Sequence, residues 1–568
     1  MRGPLEAAEA AIAADDAHHD PAIWLFRFRD EDILDRARAL AAEGPLDRPL
    51  WGVTVAIKDN IDIAGVPTTA ACPGFSQVAP RHATAVRRLL DAGANIVGKT
   101  NLDQFATGLV GVRSPYGVPR NVFDSARVPG GSSSGSAAAV AAGIVDVALG
   151  TDTAGSGRVP AMFGNIVGLK PTVGAVPATG MVPACRSIDT ISVFAATVDQ
   201  ALSVQRVLSG YDAADPYSRA APFAYLRRSP LPEVARVACV EPVACAPDVA
   251  AVYTATAARW GATRVDITPF LTIARLLYDG PWVAERASAL RHVLAAGTEL
   301  HPVTRAIIEG GLSRLTVDAF DAFLALAKAR RIASELFERF DALLLPTAPF
   351  TPTLADLAAD PIGPNSRLGT YTNFVNLCDL AAIAVPAGFG PDGLPVGVTV
   401  VGPAWSEGRL AAIADAIHRA ATDRVGATAR PLPDPAPPDP IGPDEIGLFC
   451  IGAHMAGLPL NGQITALGGR FARAAVTAPD YRLYALGARP GLVRVAAGQG
   501  GSIAGEIWAL PAGAIGPLLA QVAAPLGFGS VRLADGACLG FLAEAEGVAG
   551  APDITEHGGW RAYQTKMR

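Results

Sequence analysis

Nothing in these 568 residues pairs cysteines as CxxC or spaces histidines as HExxH. The seven cysteines, Cys72, Cys185, Cys239, Cys245, Cys378, Cys450 and Cys538, are scattered and odd in number, so neither a disulfide framework nor a zinc site is expected. The eight histidines lack ligand spacing, which removes the commonest metal-hydrolase arrangement, and no metal, nucleotide or organic cofactor is called for. There is no block of basic residues. With 47 Lys and Arg against 53 Asp and Glu the formal charge is -6, which argues against a nucleic-acid footprint and leaves small molecules as the expected partners. Apolar runs of membrane-spanning length are missing, and the start, MRGPLEAAEAAIAADDAHHD, has no basic region followed by an apolar core. The reading is a soluble, cytoplasmic protein with no membrane partner.

What the sequence does have is bulk. Half of the residues are hydrophobic and 18% are charged, and the length exceeds what one core organises, so a large domain and a smaller one are expected. Residues 5 to 42 read as helical and polar-faced. Strand signals at Gly52 to Ile57, Asn95 to Gly98, Ile144 to Leu149, Arg236 to Val240 and Ala342 to Leu345 alternate with helix signals such as Ala83 to Ala92. That alternation predicts an α/β sheet covered by helices, interrupted by a helical block over Thr272 to Phe340. RPLPDPAPPDPIGP, Arg430 to Pro443, is too proline-dense for helix or ladder and reads as an extended linker. The expected division is a first domain over 1–428, a linker over 429–446 and a small β-rich α+β domain over 447–568. Short β-like runs in the last include Tyr481 to Ala485, Leu492 to Ala496 and Gly505 to Ala509.

The chemistry concentrates in GGSSSGSAAAVAAGIVDVALGTDTAGSGR, Gly130 to Arg158, and in Lys58 of VAIKDN. Two glycine-framed turns carry Ser132 and Ser156. The run between them, Ser136 to Gly143, is small and apolar enough for a helix in a crowded core, so both hydroxyls could face one pocket. A serine hydroxyl needs a base to become a nucleophile, and with no histidine near either turn the candidate is lysine. A lysine serves only when burial lowers its pKa, and Lys58 follows an apolar run that reads as a buried strand. Taken alone, Lys58 also reads as a surface lysine in a turn, and Gly130 to Gly135 as a flexible loop or a phosphate cradle without the P-loop lysine. Thr151 to Ser156 is either a tight strand-to-helix turn or an oxyanion hole, whose donors are worth about 3 to 4 kcal/mol each to acyl transfer.

AIKDN, GGSSSGSAAAVAAG and GTDTAGSGRVPA together resemble the amidase signature hydrolases over about residues 45 to 415, with NFVNLCDLAAIAVPAGF, Asn373 to Phe389, included. The resemblance implies a central mixed sheet covered by helices. It makes Ser156 the nucleophile, Ser132 the bridging serine after a cis peptide at Gly131, and Lys58 the terminal base. It also makes the amides of Thr153, Ala154, Gly155 and Ser156 the oxyanion donors. Ser134 departs from the glycine of many members, and Asp152 and Arg158 are assigned to bracing the loop.

Two further stretches, NLDQFATGLVGVRSPYG from Asn101 and LYDGPWVAERA from Leu277, resemble the allophanate hydrolases, whose substrate is a carboxylated urea. A forked guanidinium at Arg286 with the hydroxyl of Tyr278 suits that carboxylate. These two residues are eight apart and could share a helix face unless Gly280-Pro281 breaks it. IGAHMAGLPLNGQI from Ile451 and DITEHGGWRAY from Asp553 resemble the carboxy-terminal domain of allophanate hydrolases, similar in fold to gamma-glutamyl cyclotransferase. Decarboxylation of N-carboxycarbamate is implied there, with His454 and then His557 as proton-transfer candidates. The resemblance further implies a homodimer and a functional link to urea carboxylase or a biuret hydrolase. The alternatives are a general amidase, or an amidotransferase A-type subunit whose second domain only organises oligomers.

Overall fold

Eleven strands join one mixed sheet in a computed structural model that describes residues 2–567. Their order is Trp24–Arg27, Asn95–Thr100, Thr54–Lys58, Val147–Asp152, Thr190–Ala195, Val167–Lys170, Leu380–Phe389, Pro395–Pro403, Ala342–Pro346, Val237–Cys239 and Thr263–Arg264. Thr54–Lys58 lies parallel to both of its neighbours, Asn95–Thr100 and Val147–Asp152, and all three strands are buried throughout. Covering both faces is what lets near-continuous apolar segments form a stable parallel core.

The return path between Thr54–Lys58 and Val147–Asp152 ends in the helix Ser134–Ala141, built from serine, glycine, alanine and valine and buried along its whole length. Small side chains permit that depth. A Cβ on Gly135 would lie 2.5 Å from the carbonyl oxygen of Ile23, so larger residues would push the helix off the sheet. The hydroxyl of Ser136 donates to the carbonyl of Leu149 at 2.9 Å, which satisfies a polar group where water is excluded.

Two expectations change. The segment 5 to 42 is not one helix but Pro4–His18 and Asp30–Glu43, parted by a 3-10 turn and the edge strand Trp24–Arg27. Pro21 has no N–H to continue a helix, and the Asp20 side chain accepts from the amide of Ala22 at 3.1 Å, starting the turn instead. The helical block consists of Thr268–Asp279, Trp282–Ala289, Arg291–Ala295, Pro302–Gly310 and Thr316–Arg339. The break at Gly280-Pro281 therefore puts Tyr278 and Arg286 on separate helices.

The chain forms two compact units. One comprises the chain up to Ala221, Val237–Leu336 and Ala342–Pro435; the other comprises Pro222–Arg236, Phe337–Asp341 and the chain from Ala436 on. The second unit is built on a five-stranded sheet ordered Arg470–Val476, Ala504–Pro511, Glu445–Cys450, Gly536–Ala543 and Leu526–Leu533, with the separate hairpin Tyr481–Leu486 and Arg489–Arg494. Leu448, Phe449, Ile507, Trp508 and Leu510 lie in its core. The proline-rich run is less free than its composition implies. Leu432 donates its amide to Asp423 at 2.8 Å in the first unit. In the second, Arg470 donates to the carbonyls of Asp439 at 3.1 Å, Pro440 at 2.7 Å and Arg228 at 3.3 Å. Among the described residues no helix is long and apolar enough to cross a membrane.

Candidate active site

Lys58 ends its strand with 0% of its surface exposed. Its Nζ lies 2.8 Å from Ser132 Oγ, 2.9 Å from Ser133 Oγ and 2.8 Å from Thr151 Oγ1. Burial lowers its pKa from 10.5 to about 7, against the opposing pull of Asp103, Asp152 and Asp189. An ammonium would donate to all three hydroxyls, whereas a neutral amine has two N–H bonds and one lone pair. The hydroxyl of Ser133 donates to the carbonyl of Thr151 at 3.2 Å, so toward Lys58 it accepts. The lone pair is left for Ser132 or Thr151, and directed at Ser132 it can take that residue's proton.

The turn that presents Ser132 is held from outside its own sequence. The Gly131–Ser132 peptide is cis. The Ser132 carbonyl accepts from the amide of Asp103 at 3.0 Å, and Gly131 donates to Leu109 at 2.9 Å. A Cβ on Gly131 would fall 2.2 Å from Asp103 Oδ2, so glycine is required there. The Asp103 carboxylate accepts from the amides of Gly111 and Arg113, both at 2.9 Å. The stretch Asn101 to Gly117 thus frames the serine turn. Ser134 fits without distortion because it packs on Gly111, where a Cβ would come within 2.7 Å of the Ser134 Cβ.

Ser156 is buried on the loop between Val147–Asp152, the strand whose Thr151 touches Lys58, and the short helix Val159–Phe163. Asp152 organises that loop: its carboxylate accepts from the amides of Gly155 and Gly157, both at 3.0 Å, and from two nitrogens of Arg158 at 2.9 Å. Burial alone would raise the Asp152 pKa, but Arg158 holds it below the usual carboxylate range. The hydroxyl of Thr372 donates to the carbonyl of Ala154 at 2.6 Å, and Asn376 donates to that of Asp152 at 2.8 Å. Gly155 has φ +130°, with no room for a Cβ against Thr372. One expected oxyanion donor is corrected here. The single N–H of Gly155 is committed to Asp152, whereas the amides of Thr153 and Ala154 have no acceptor among the described residues.

Arg286 is 1% exposed and has no carboxylate partner among the described residues. It donates to Thr107 Oγ1 at 2.6 Å and, at 3.4 and 3.5 Å, to the carbonyls of Ala106 and Phe105. The half-buried ring of Tyr278 lies 5.9 Å from its Cζ, so the two residues meet across the helix break instead of along one helix. Burial raises the Tyr278 hydroxyl, against the nearby Arg286 and Arg113. Asp189, pushed up to about 6 by burial, accepts from Thr153 Oγ1 at 2.5 Å and from the Ala184 amide at 2.8 Å, tying the Ser156 loop to the segment that reaches Arg286. Sequence reasoning missed Asp103, Thr107, Asp189, Thr372 and Asn376. For Asp189 and Asn376 the available signal was a charged or amide side chain beside an apolar run; Asp103, Thr107 and Thr372 carry none.

In the second unit, His454 lines a cavity of about 80 Å³. Its ring stacks on Phe541 at 4.7 Å, and its Nε2 is 3.0 Å from Gln463 Oε1. Burial lowers its pKa, against the contact with Gln463. Glu506 accepts from the amide of Ala456 at 2.7 Å, the indole of Trp508 at 2.9 Å and Arg561 at 2.7 Å, which joins IGAHMAGLPLNGQI to DITEHGGWRAY. His557 is not brought to that cavity. It lies on the 3-10 turn Thr555–His557, edge-on to Tyr563 at 5.2 Å.

A buried lysine lies against a serine, a second serine sits on a glycine-framed loop, and among the described residues no histidine contacts them; the class that this fold and site define is an amidohydrolase. Comparison with known proteins agrees: the chain belongs to the amidase family, which matches residues 6–411. Residues 446–565 match the allophanate hydrolase C-terminal domain. The chain is 39% identical to the urea amidolyase of Lachancea kluyveri over 581 residues, covering 96% of this chain and 31% of that protein. Among solved structures, Kluyveromyces lactis allophanate hydrolase superposes with a TM-score of 0.77 at 38% identity, over 100% of this chain and 97% of that one. The K. lactis urea amidolyase gives 0.79 at 38%, over 100% of this chain and 36% of that one. The chain thus spans about a third of the length of these urea amidolyases, 31% of the Lachancea kluyveri protein.

Proposed function

We propose that the chain hydrolyses allophanate, urea-1-carboxylate, to ammonia and carbon dioxide in two stages. Neutral Lys58 takes a proton from Ser132, Ser132 takes one from Ser156, and Ser156 Oγ bonds to the urea carbonyl carbon. The oxyanion lies against the amides of Thr153, Ala154 and Ser156. The C–N bond breaks, the relay returns a proton to the departing nitrogen, and ammonia leaves. Water, deprotonated along the same relay, then releases N-carboxycarbamate and restores the Ser156 hydroxyl. In the second domain one C–N bond of that product breaks, carbon dioxide leaves and the nitrogen takes a proton by way of His454, with His557 the second candidate. Carbamate then yields the other ammonia and carbon dioxide.

The observation that carries this reading is Arg286, a buried guanidinium that no carboxylate of the described chain answers. A substrate carboxylate supplies the missing partner and Tyr278 flanks it. The names of the relatives, allophanate hydrolase and urea amidolyase, point the same way. The proposed division is a catalytic amidase domain over 1–428, a connector over 429–446 and a decarboxylating domain over 447–568. An upstream urea carboxylase or biuret hydrolase is the partner in metabolism. The exposed Val317, Phe320 and Leu324, on one face of Thr316–Arg339, support a homodimer. Seven unpaired cysteines support a reducing, cytoplasmic setting.

The test is ammonia release from allophanate, biuret, malonamate and glutamine. Allophanate is expected to be strongly preferred, with activity lost in Ser156→Ala. Equal turnover of glutamine, or turnover that survives Ser156→Ala, would overturn the reading.

A further inference from the structure

Two pairs of residues with side chains stand in the left-handed region on segments that meet beside Arg286. Ala70 and Ala71 have φ +49° and +57°, and Phe105 and Ala106 have φ +52° and +53°. A Cβ disfavours that conformation, so two such residues in succession persist only where their surroundings hold them. The turns hold each other. The amide of Phe105 donates to the carbonyl of Ala70 at 2.9 Å, and Gln104 Nε2 donates to that of Ala71 at 3.1 Å. Gln104 is 1% exposed, and its Oε1 also accepts the amide of His301 at 2.8 Å. One side-chain amide thus ties both turns to the start of the helix Pro302–Gly310.

The second turn is aimed at one nitrogen of the guanidinium. Nη1 of Arg286 donates to Thr107 Oγ1 at 2.6 Å and to the carbonyls of Ala106 and Phe105 at 3.4 and 3.5 Å. Thr107 in turn donates its hydroxyl to the Phe105 carbonyl at 3.2 Å. Nη2 has only the sulfur of Cys185, at 4.0 Å, and Nε has no partner among the described residues. The Phe105 side chain is fixed as well: it shares a buried cluster with Ala70 and with Ala287, the neighbour of Arg286 on its helix. Carbonyls and guanidinium are therefore held in register from both sides.

We propose that Gln104 is a positioning residue for carboxylate selection: it locks the paired left-handed turns, which occupy Nη1 of Arg286 with oxygens of the chain and turn the edge formed by Nε and Nη2 to the substrate. The assignment rests on the reading above that Arg286 receives the substrate carboxylate. That carboxylate takes two parallel N–H bonds from the free edge, a geometry that only a fixed fork provides. Without the Gln104 amide the turns relax toward ordinary backbone, the carbonyls leave Nη1, and the guanidinium loses its orientation. Carboxylate binding weakens, while Lys58, Ser132 and Ser156, which the Gln104 side chain does not touch, keep their chemistry.

Steady-state kinetics of the full chain, with malonamate as a competing carboxylate, reads the effect. In Gln104→Leu the KM for allophanate and the inhibition constant of malonamate are expected to rise together, about 10- to 100-fold, with kcat changed less than about threefold. Sulfonylation of Ser156 by phenylmethanesulfonyl fluoride, which carries no carboxylate, should keep its rate. Unchanged KM and inhibition constant overturn the assignment, and so does a matching fall in kcat and in sulfonylation, because a merely structural loss slows every reaction of Ser156. Should Gln104→Leu not fold, Gln104→Glu, which keeps the acceptor for His301 and lacks the donor to Ala71, is measured with the same expectation. Failure of the carboxylate reading looks different: malonamate does not compete in the unaltered chain, or Arg286→Met leaves its inhibition constant unchanged.

Discussion

Acidification should switch off the amide step through Lys58. Burial brings its pKa from 10.5 to about 7, so about half of the lysine is neutral at pH 7, where an ordinary lysine would be neutral in roughly one molecule in three thousand. That gain of about three orders of magnitude in active base is the contribution of the dry site. The sign follows from the role: the base acts unprotonated, so kcat/KM for the first ammonia should fall about tenfold per pH unit below 7 and level off above about 8. Lys58→Ala should lower kcat/KM by about 10²- to 10⁴-fold and abolish this acid limb in whatever activity remains. Stability should respond in the matching direction. The unfolded chain binds the extra proton between about 7 and 10.5, so burying Lys58 costs most below 7 and nothing above 10.5. Lys58→Met should therefore raise the thermal midpoint more at pH 6 than at pH 10. An activity still climbing through pH 9, or an acid limb that persists in Lys58→Ala, would refute the neutral-lysine mechanism.

Arg286→Lys keeps the charge but loses the fork and the contact with Thr107, so kcat/KM for allophanate should drop about 10- to 100-fold while neutral amides stay poor substrates; steady-state ammonia assays check this. Asp152→Asn leaves Arg158 buried and unpaired and should destabilise the first domain by about 3 to 5 kcal/mol in urea denaturation. A loss under about 1 kcal/mol would mean the pair is only a surface-strength contact.

The residues of the proposed relay stood out because they carry local signatures: small residues between Ser132 and Ser156, and an apolar strand ahead of Lys58. Lys58 and Ser132 do meet, at 2.8 Å. The supports were not legible, since their partners are backbone groups far away in sequence. Asp103 acts by accepting the amides of Gly111 and Arg113, and no residue pattern encodes which carboxylate turns inward. The same holds for Gly155, whose amide looked available until Asp152 claimed it. Breaks in regular structure were half-visible: Gly280-Pro281 advertised a helix end, but the edge strand Trp24–Arg27 is decided by pairing with Asn95–Thr100 and not by its own composition. For the same reason Arg470, reaching Arg228 at 3.3 Å, draws an early segment into the later unit without any local cue.

Lys58 is delivered by a strand clasped between two parallel neighbours, whereas Thr107, Tyr278 and Arg286 come from a loop and two helices off the sheet. If the proposed roles hold, the base and most of the carboxylate clamp are supplied by separate stretches of polypeptide. On that reading an engineer or a lineage can remodel residues 268 to 289 to admit a different amide, whereas residues 101 to 117, which also hold the Ser132 turn through Asp103, must keep their backbone.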